Sequence, residues 1–394
     1  MVMDANLTAL RKFVAPEFIF GNGALRKCPD YVHTFGVSKV LIVSDPGVVR
    51  AGWAGKVEAL LSDAGISFER YDKVSPNPRD TEVMAGAEFY LRRRCDMIVA
   101  VGGGSPIDCA KGIGVVAANG GNVLDYEGVD NVPVPMPPLV CIPTTAGTGA
   151  DVSQFAIILD TVRLNKIAII SKGVVPDISL IDPETTVTMD AELTAETGMD
   201  ALTHAIEAYA SNASSPITDM NALEAISFLA AHLESSFARP GDLKARAGTM
   251  MGSLLAGLAF SNASLGLVHA MAHSLGGLMD LPHGLCNALL LEHVIAFNFE
   301  AAPDRYRRVL AALSGADPRR ASLGTGDAAA LTGVLSALRR RLGLGDTLSA
   351  EPVSAAVIDE LADRAFKDPC LVTNPKKATR SDIAGIYNAL LAKR

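Results

Sequence analysis

The sequence predicts an α/β N-terminal domain with a doubly wound, mostly parallel, Rossmann-like sheet, followed by an all-α C-terminal domain. Three observations predict this class. Short runs rich in β-branched residues alternate with helical stretches in the first half of the chain. Those strand signals fade after "PDISLIDPETT" (176–186), where Ala, Leu, Met and Glu begin to dominate. The 394 residues also suit two domains of ~100–200 residues each. We therefore predict domains at 1–186 and 187–394.

Apolar runs predict four buried strands in the first domain. They are "KVLIVSD" (39–45), "ISFERYD" (66–72), "DMIVAVGGGS" (96–105) and "PLVCIPTT" (138–145). Helices are predicted from the first strand through about residue 64, and again near 80–94. "FAIILD" and "NKIAIIS" are typical of a hairpin or a pair of edge strands. In the second domain, windows such as "TDMNALEAISFLAAHLESSF" have apolar residues at helical spacing, and an exposed loop is expected over 314–329.

Composition argues against several classes of protein. A formal net charge of −8 argues against a nucleic-acid binder, which normally carries a basic face. No apolar window reaches the ~18–20 residues of a membrane span, and the N-terminus lacks the pattern of a signal peptide. The six cysteines are scattered without a CxxC pair, which predicts reduced thiols in the core. We expect a cytoplasmic protein with no nucleic-acid and no membrane partner.

Two loops rich in glycine or hydroxyl groups follow predicted strands. The first contains a glycine run, Gly102, Gly103 and Gly104. Ser105 is predicted to cap the next helix and Pro106 to suit its first turn. The second loop contains three threonines, Thr144, Thr145 and Thr148. Backbone N–H groups without a partner and the positive end of a helix dipole suit a pyrophosphate, so the two loops together predict a dinucleotide-binding site. A tight strand-to-helix turn is the alternative, because Ile107 breaks the GxGxxG pattern.

Asp45 ends the first predicted strand. An acidic side chain at such a position can accept hydrogen bonds from ribose hydroxyls and repel a 2′-phosphate. A helix cap or a turn residue is the alternative interpretation.

Acidic and imidazole side chains predict a metal site in the second domain. Asp200 and His204 are four residues apart in "TGMDALTHAIEAY", so a helix would place them on one face, which Glu207 continues. The segment 266–284, "GLVHAMAHSLGGLMDLPHG", adds three more imidazoles: His269, His273 and His283. One carboxylate with neutral imidazoles suits Fe(II) or Zn(II) and does not suit Ca(II) or Mg(II). Spacing alone leaves open which three imidazoles bind.

Taken together, six stretches resemble the iron-containing (group III) alcohol dehydrogenase family, and the similarity runs over nearly the whole chain. They are "GGGSPIDCAK", "PTTAGTGADVS", "SSPITDMNALEA", "GMDALTHAIEAY", "GLVHAMAHSLGGLMDLPHGLCNALLL" and "LVTNPKKAT". The chain is especially similar to the short-chain alcohol and methanol dehydrogenases of bacteria. Departures fall near the substrate side: Ser274 stands where the closest relatives usually have Gln, and Leu267 stands where aromatics are common. The resemblance therefore implies the reaction type and leaves the alcohol open.

The resemblance also implies roles for individual residues. It implies four metal ligands, Asp200, His204, His269 and His283. It implies that His273 faces the nicotinamide and the substrate without binding the metal. It implies pyrophosphate binding by Gly102, Gly103, Gly104 and Ser105, with Thr144, Thr145 and Thr148 lining the cofactor cleft. Asp45 matches the position that favours NAD over NADP, and Asn77 and Lys166 match further cofactor-side positions.

We expect an NAD(H)-linked alcohol dehydrogenase or aldehyde reductase that acts on a small primary alcohol and its aldehyde. Fe(II) is the expected metal, and Zn(II) is the alternative. His273 is expected to help relay the proton, and a cleft between the domains to exclude water. A homodimer or larger homo-oligomer is expected. The alternatives are a glycerol- or polyol-type dehydrogenase, another metalloenzyme such as a lyase-like synthase, a reductase of a small anionic aldehyde, or a non-catalytic metal- or nucleotide-binding regulator.

Overall fold

The structure, a computed structural model, describes residues 10–318, 327–345 and 353–391. The described residues divide into two compact units: Val14–Thr188 form one, and the described residues from Met189 onward form the other, together with residues 10–13. The predicted boundary lay two residues earlier, and the prediction assigned the residues before Val14 to the α/β domain. The loop predicted over 314–329 lies partly outside the described residues, since 319–326 are not among them.

Parallel strands form the centre of the α/β unit. The strands are β1 (Glu17–Phe20), β2 (Lys39–Val43), β3 (Ser67–Tyr71), β4 (Met97–Gly102), β5 (Gly128–Val129), β6 (Leu139–Pro143), β7 (Phe155–Asp160), β8 (Asn165–Ile170) and β9 (Ile178–Ile181). Six of them form one sheet in the order β1-β9-β6-β4-β2-β3, in which every pair is parallel. The predicted hairpin is the antiparallel pair β7–β8, which forms a separate small sheet with β5. The predicted fold class is confirmed.

Helices cover both faces of this sheet. They are α1 (Cys28–Phe35), α2 (Pro46–Arg50), α3 (Trp53–Asp63), α4 (Asp80–Arg93) and α5 (Gly104–Asn119), with short 3-10 helices at Ala24–Lys27, Val123–Tyr126, Lys172–Val174 and Pro183–Thr186. Alternate residues of β4 belong to opposite apolar clusters, Ile98 to one and Val99 to the other. The single helix predicted through residue 64 is in fact two, because Gly52 adopts a left-handed φ of 88° between α2 and α3.

Among its described residues, the second unit contains helices and no strand. They are α6 (Ala191–Ala210), α7 (Pro216–Ala238), α8 (Leu243–Ala263), α9 (Leu267–Met279), α10 (His283–Asn298), α11 (Pro303–Leu313), α12 (Ala328–Arg341), α13 (Ala355–Phe366) and α14 (Arg380–Leu391), with 3-10 helices at Phe299–Ala301 and Pro369–Thr373. Asp190 caps α6 by accepting a hydrogen bond from Leu193 N at 2.8 Å. Every residue of α6 from Gly198 to its end is buried, so α6 lies at the centre of this unit.

All six cysteines are buried, and none forms a disulfide, which confirms the predicted core thiols. In the part of the chain that the structure describes, no single helix has both the length and the apolar composition of a membrane span. Only α8 and α9 taken together pass that test, and they are bent by 102° at the break between them.

Candidate active site

Three neighbouring strands of the α/β unit end at the same edge of the sheet. β2 pairs with β4, and β4 pairs with β6, all in parallel. The chain runs from β2 outward to β3 and then returns to β4 on the other side of β2. Ligands of open α/β sheets bind outside the carboxyl ends of the strands at such a reversal of strand order. Asp45 follows β2, Gly102 ends β4, and Thr144 follows β6 with its N–H bonded to the Gly102 carbonyl at 3.0 Å.

The glycine run packs directly against the threonine loop. A Cβ atom added at Gly103 would lie 3.1 Å from Thr145 Cγ2. One added at Gly104 would lie 2.8 Å from Thr148 Cγ2, which is closer than real Cβ contacts. A side chain at Gly104 would therefore displace Thr148, and one at Gly103 would be tightly placed against Thr145. The structure brings together these two predicted sets of residues.

Two residues of this edge were considered as helix caps in the sequence, and the structure identifies which of them is one. Ser105 is not the helix cap, because α5 begins one residue earlier and Gly103 occupies the N-cap position. Asp45 is a helix cap, which was its alternative interpretation: Oδ1 accepts hydrogen bonds from Gly47 N at 2.7 Å and from Val48 N at 2.9 Å. The side chain of Asp45 is half-buried, and capping engages only one of its two oxygens.

The β7–β8 hairpin brings two further predicted residues toward each other. Asn77 adopts a left-handed φ of 56° after β3. The carbonyl of the next residue, Pro78, accepts a hydrogen bond from Leu159 N at 2.8 Å. Leu159 is paired with Lys166 across the hairpin. Asn77 and Lys166 thus lie on connected segments, although they are distant in sequence.

Two ionisable residues on α5 follow the glycine run, Lys111, which is buried, and Asp108, which is half-buried, and no role was predicted for either. Lys111 is fully buried, and its Nζ donates to the carbonyls of Ser153 at 2.8 Å and Phe155 at 2.7 Å. These bonds tie α5 to the segment that follows the threonine loop. Burial lowers the pKa of Lys111. Burial also raises the pKa of Asp108 to about 7, against the opposing effect of the Lys111 charge.

The predicted metal-binding residues of the helical unit lie around Asp200. Asp200, His269 and His283 offer ligand atoms within 4.8 Å of one another, and His204 lies beside Asp200 but outside that group. Asp200 and His204 lie on α6, His269 lies on α9, and His283 is the first residue of α10. The Nε2 atoms lie near a single oxygen, Asp200 Oδ1, at 3.8 Å for His204 and 3.7 Å for both His269 and His283. Asp200, His204 and His269 are buried, whereas the His283 side chain is 26% exposed.

This cluster stabilises positive charge. Burial raises the pKa of Asp200, but the three imidazoles more than offset that effect and hold it well below its usual range. Burial lowers the pKa of His269, but the carboxylates of Asp200 and Glu207 raise it to about 9. Ligands at about 2.0–2.2 Å from a tetrahedral metal ion lie about 3.3–3.6 Å from one another, and the three distances from Asp200 Oδ1 to the imidazole Nε2 atoms are slightly longer, at 3.7–3.8 Å. Charge and donor type fit Fe(II) or Zn(II).

Asn287, which the sequence analysis did not select, contacts three of these residues. Its Nδ2 lies 2.7 Å from Asp200 Oδ1, 3.1 Å from His269 Nε2 and 3.2 Å from His283 Nε2. The side chain is fully buried. Asn287 lies one helical turn after His283, and this spacing was the only feature of the sequence that could have predicted its place in the site.

His273 has a different carboxylate partner. Its Nδ1 lies 2.9 Å from Asp368 Oδ2, and its ring stacks on that of His283 with centroids 5.3 Å apart. Burial raises the pKa of Asp368, but His273 more than offsets this, so the net shift is downward. Sequence reasoning missed Asp368, which lies 95 residues from His273. His273, Asp368 and Cys370 also form a second group whose ligand atoms lie within 4.8 Å of one another, so geometry alone offers a competing metal site.

Comparisons with known proteins agree with these features. The family model "Iron-containing alcohol dehydrogenase" matches residues 15–183, and "Fe-containing alcohol dehydrogenase family, C-terminal" matches residues 194–391. Alcohol dehydrogenase 4 of Schizosaccharomyces pombe is 41% identical, over 96% of this chain and 89% of that protein. The NAD-dependent methanol dehydrogenase of Bacillus methanolicus is 38% identical, over 96% of this chain and 99% of that protein. A crystal structure of 1,3-propanediol oxidoreductase superposes with a TM-score of 0.91 at 37% identity, over 97% of this chain and 100% of that one.

Proposed function

The chain belongs to the iron-containing alcohol dehydrogenase family, and from this premise we propose that it interconverts a small primary alcohol and its aldehyde with NAD(H). One observation carries the proposal beyond family membership. Three imidazole nitrogens from three helices lie within 3.8 Å of one buried carboxylate oxygen. Such a donor set binds a metal ion that acts as a Lewis acid.

We propose Asp200, His204, His269 and His283 as the metal ligands. Fe(II) is the ion expected from the family, and Zn(II) accepts the same donors. When bound, the metal supplies Lewis acidity, which makes an alcohol proton more acidic and, in the reverse direction, polarises a carbonyl. The four proposed ligands would hold the charge of the metal ion at a mostly buried position, where electrostatic interactions are stronger than in water.

His273 is proposed to carry the proton. An ionised Asp368 can only accept a hydrogen bond, so a neutral His273 holds its hydrogen on Nδ1 and leaves Nε2 as an acceptor. Nε2 takes up the proton that the alcohol loses on oxidation and returns it when the aldehyde is reduced. A bound nicotinamide would supply the hydride acceptor for oxidation and the hydride donor for reduction. Asp368 is a positioning residue in this scheme, because it acts only through His273.

NAD(H) is proposed to bind at the carboxyl edge of the parallel sheet. The pyrophosphate would lie on the N–H groups at the start of α5, with Gly102, Gly103, Gly104 and Ser105 around it. Thr144, Thr145 and Thr148 would line the cofactor site, and Asn77 and Lys166 would contribute from its side. Asp45 would accept a ribose hydroxyl with the carboxylate oxygen that does not cap α2 and would repel a 2′-phosphate.

The assembly and the location in the cell are part of the same proposal. We propose a homodimer or a larger homo-oligomer, in keeping with the expectation from the sequence. The reduced cysteines fit a cytoplasmic location. The acidic net charge of −8 argues for a small-molecule substrate over a nucleic acid.

An absorbance assay of NADH with metal analysis on the same sample tests the proposal. The substrate panel holds neutral alcohols and aldehydes, an anionic aldehyde and a polyol, so that it also separates the alternative substrates. We expect turnover of a small neutral alcohol or aldehyde by protein reconstituted anaerobically with Fe(II). Metal-replete protein that turns over no compound of the panel would overturn the proposed function.

Three histidine variants test the site. His283→Ala should lose metal and activity together. His273→Ala should keep its metal and slow hydride transfer by about 10²–10⁴-fold, the range of general acid–base catalysis. His33→Ala, at an exposed position, is the matched control and should change neither. Full metal content in His283→Ala, or loss of stoichiometric metal from His273→Ala, would contradict the assignment of ligands.

A further inference from the structure

The buried carboxylate of Glu207 caps helix α9 from a neighbouring helix. Glu207 lies on α6, and its Oε1 accepts a hydrogen bond from Val268 N at 2.7 Å. Its Oε2 accepts from Gly266 N at 3.1 Å and from His269 N at 3.3 Å. The first N–H groups of a helix have no partner within the helix, so they need an acceptor from elsewhere when they are buried. Glu207 supplies that acceptor and fixes where α9 begins.

The same carboxylate contacts the imidazole of His269. Glu207 Oε2 lies 2.6 Å from His269 Nδ1. Three backbone N–H donors at the start of α9 point at the two oxygens of this side chain, so both oxygens act as acceptors. Because a carboxylate ion can only accept a hydrogen bond, the hydrogen of a neutral His269 lies on Nδ1. The lone pair then lies on Nε2, the atom that is 3.7 Å from Asp200 Oδ1.

We propose that Glu207 is a positioning residue of the metal centre, which sets both the location of α9 and the tautomer in which His269 presents Nε2 as a ligand. This inference rests on the proposed function, since it assigns Glu207 a role through one of the proposed ligands. Because His269 and His273 both lie on α9, the cap also locates the residue proposed to carry the proton.

Little space remains around this contact. A Cβ atom added at Gly266 would lie 2.8 Å from Glu207 Oε1 and 2.9 Å from Asn374 Oδ1, so the backbone at the start of α9 is closely enclosed. Asn374 Oδ1 is the second side-chain acceptor here and takes the N–H of Leu267 at 3.1 Å. Asn374 therefore shares the capping role of Glu207. In the part of the chain that the structure describes, its side chain makes hydrogen bonds with Leu267 and Asn298 and none with the His269 ring.

A glutamine cannot replace Glu207 in both roles. Its side chain has one acceptor oxygen and one donor nitrogen. With the nitrogen at the position of Oε1, the N–H of Val268 loses its acceptor, and the oxygen that remains at His269 Nδ1 is no longer charged. With the nitrogen at the position of Oε2, it faces the N–H groups of Gly266 and His269 as well as Nδ1 of His269. The clash with Nδ1 is relieved only when the His269 hydrogen moves to Nε2, which removes the lone pair that would bind a metal.

Glu207→Gln tests the inference through metal affinity, measured by competition of Zn(II) alone between the protein and a chelator. We expect Zn(II) to bind about 10–100-fold more weakly than to the wild type, as for the loss of other partners of metal-binding histidines. Asn374→Ala is the matched control, because it removes a cap of α9 and leaves the Glu207–His269 contact. It should lower stability and keep the Zn(II) affinity within about threefold. Wild-type affinity in Glu207→Gln would overturn the inference, and so would equal weakening in Asn374→Ala, since capping alone would then explain the effect.

A measurement on the wild type keeps the inference testable if Glu207→Gln fails to fold. In zinc-loaded protein labelled with ¹⁵N-histidine, the His269 ring should have its hydrogen on Nδ1 and its metal-bound nitrogen at Nε2. A hydrogen on Nε2 would overturn the inference. Failure of the proposed function is distinguishable, because the wild type would then bind no stoichiometric metal or turn over no substrate of the panel.

Discussion

Asp45 caps helix α2 and is also proposed to favour NAD over NADP, and two substitutions separate these two roles. Asp45→Asn keeps a side-chain oxygen for Gly47 N and Val48 N but removes the negative charge. Asp45→Ala removes both. Asn and Asp are nearly equal as N-caps, whereas Ala at an N-cap costs about 1 kcal/mol, which corresponds to about 2–4 °C in Tm for a unit of this size.

The effect of the charge on cofactor choice is larger than the effect of the cap. Two unit charges 4 Å apart repel by about 1 kcal/mol in water, and by more near a protein surface. Asp45 is half-buried, and a phosphate monoester carries about 1.5–2 negative charges. The repulsion is therefore about 1.5–2 kcal/mol, or about 10–30-fold in the preference for NAD over NADP.

The assay compares kcat/KM with NAD and with NADP for the wild type and both variants, beside their Tm values. We expect both variants to shift the ratio toward NADP by about tenfold or more, and only Asp45→Ala to lose thermal stability. An unchanged ratio in both variants would refute the selective role and leave Asp45 as a helix cap alone. A shift in Asp45→Ala without one in Asp45→Asn would assign the preference to the loop conformation and not to charge.

Two further predictions concern packing and pH. A Cβ atom at Gly284 would lie 2.2 Å from the carbonyl oxygen of Glu196 on α6, so Gly284→Ala must displace the start of α10. We expect this variant to lose bound metal, and its free energy of unfolding to fall by about 1–3 kcal/mol. Gly385→Ala, where nothing lies within 4 Å, should be neutral or slightly stabilising, and equal metal content and stability in the two variants would contradict the packing argument. The pKa of Asp108 is raised from 3.8 to about 7 in the folded protein, so the folded state binds the carboxyl proton more tightly than the unfolded state does. The folded state therefore loses stability as the pH rises from about 4 to about 7, by up to about 1.4 kcal/mol per pH unit. An asparagine side chain does not titrate, so Asp108→Asn should not lose stability in this way. Chemical denaturation should show that the free energy of unfolding of Asp108→Asn increases relative to that of the wild type from pH 5 to pH 8. A difference between the two proteins that does not depend on pH would show that Asp108 does not titrate in this range.

The fold could be predicted where buried strands leave a strong local signal. β2, β4 and β6 are continuous apolar runs, because both faces of a parallel sheet are covered. β1 and β9 have four residues each, and they were missed because so short a run cannot be told from a loop by periodicity. Their places in the sheet depend on pairing between residues about 160 positions apart, such as Glu17 with Ile178.

Residue spacing alone predicts the site only within one helix, and His269 and His283 were assigned through the family resemblance. Asp200 and His204 share a face because they are four residues apart on α6. The contact of His273 with Asp368 depends on how the segment before α14 packs against α9, and local spacing does not encode it. Asn287 was missed for a related reason, since a buried amide acquires its role only when three helices bring its partners together.

Locating the metal ion by anomalous scattering tests whether Asp200, His204, His269 and His283 are its ligands. Crystals of protein reconstituted anaerobically with Fe(II) would be measured on both sides of the iron absorption edge. We expect one strong anomalous peak, bonded to Asp200 Oδ1 and to Nε2 of His204, His269 and His283, with His273 outside the coordination sphere. A peak bonded to His273, Asp368 and Cys370, or the absence of any peak from a sample that contains stoichiometric iron, would contradict this assignment of ligands.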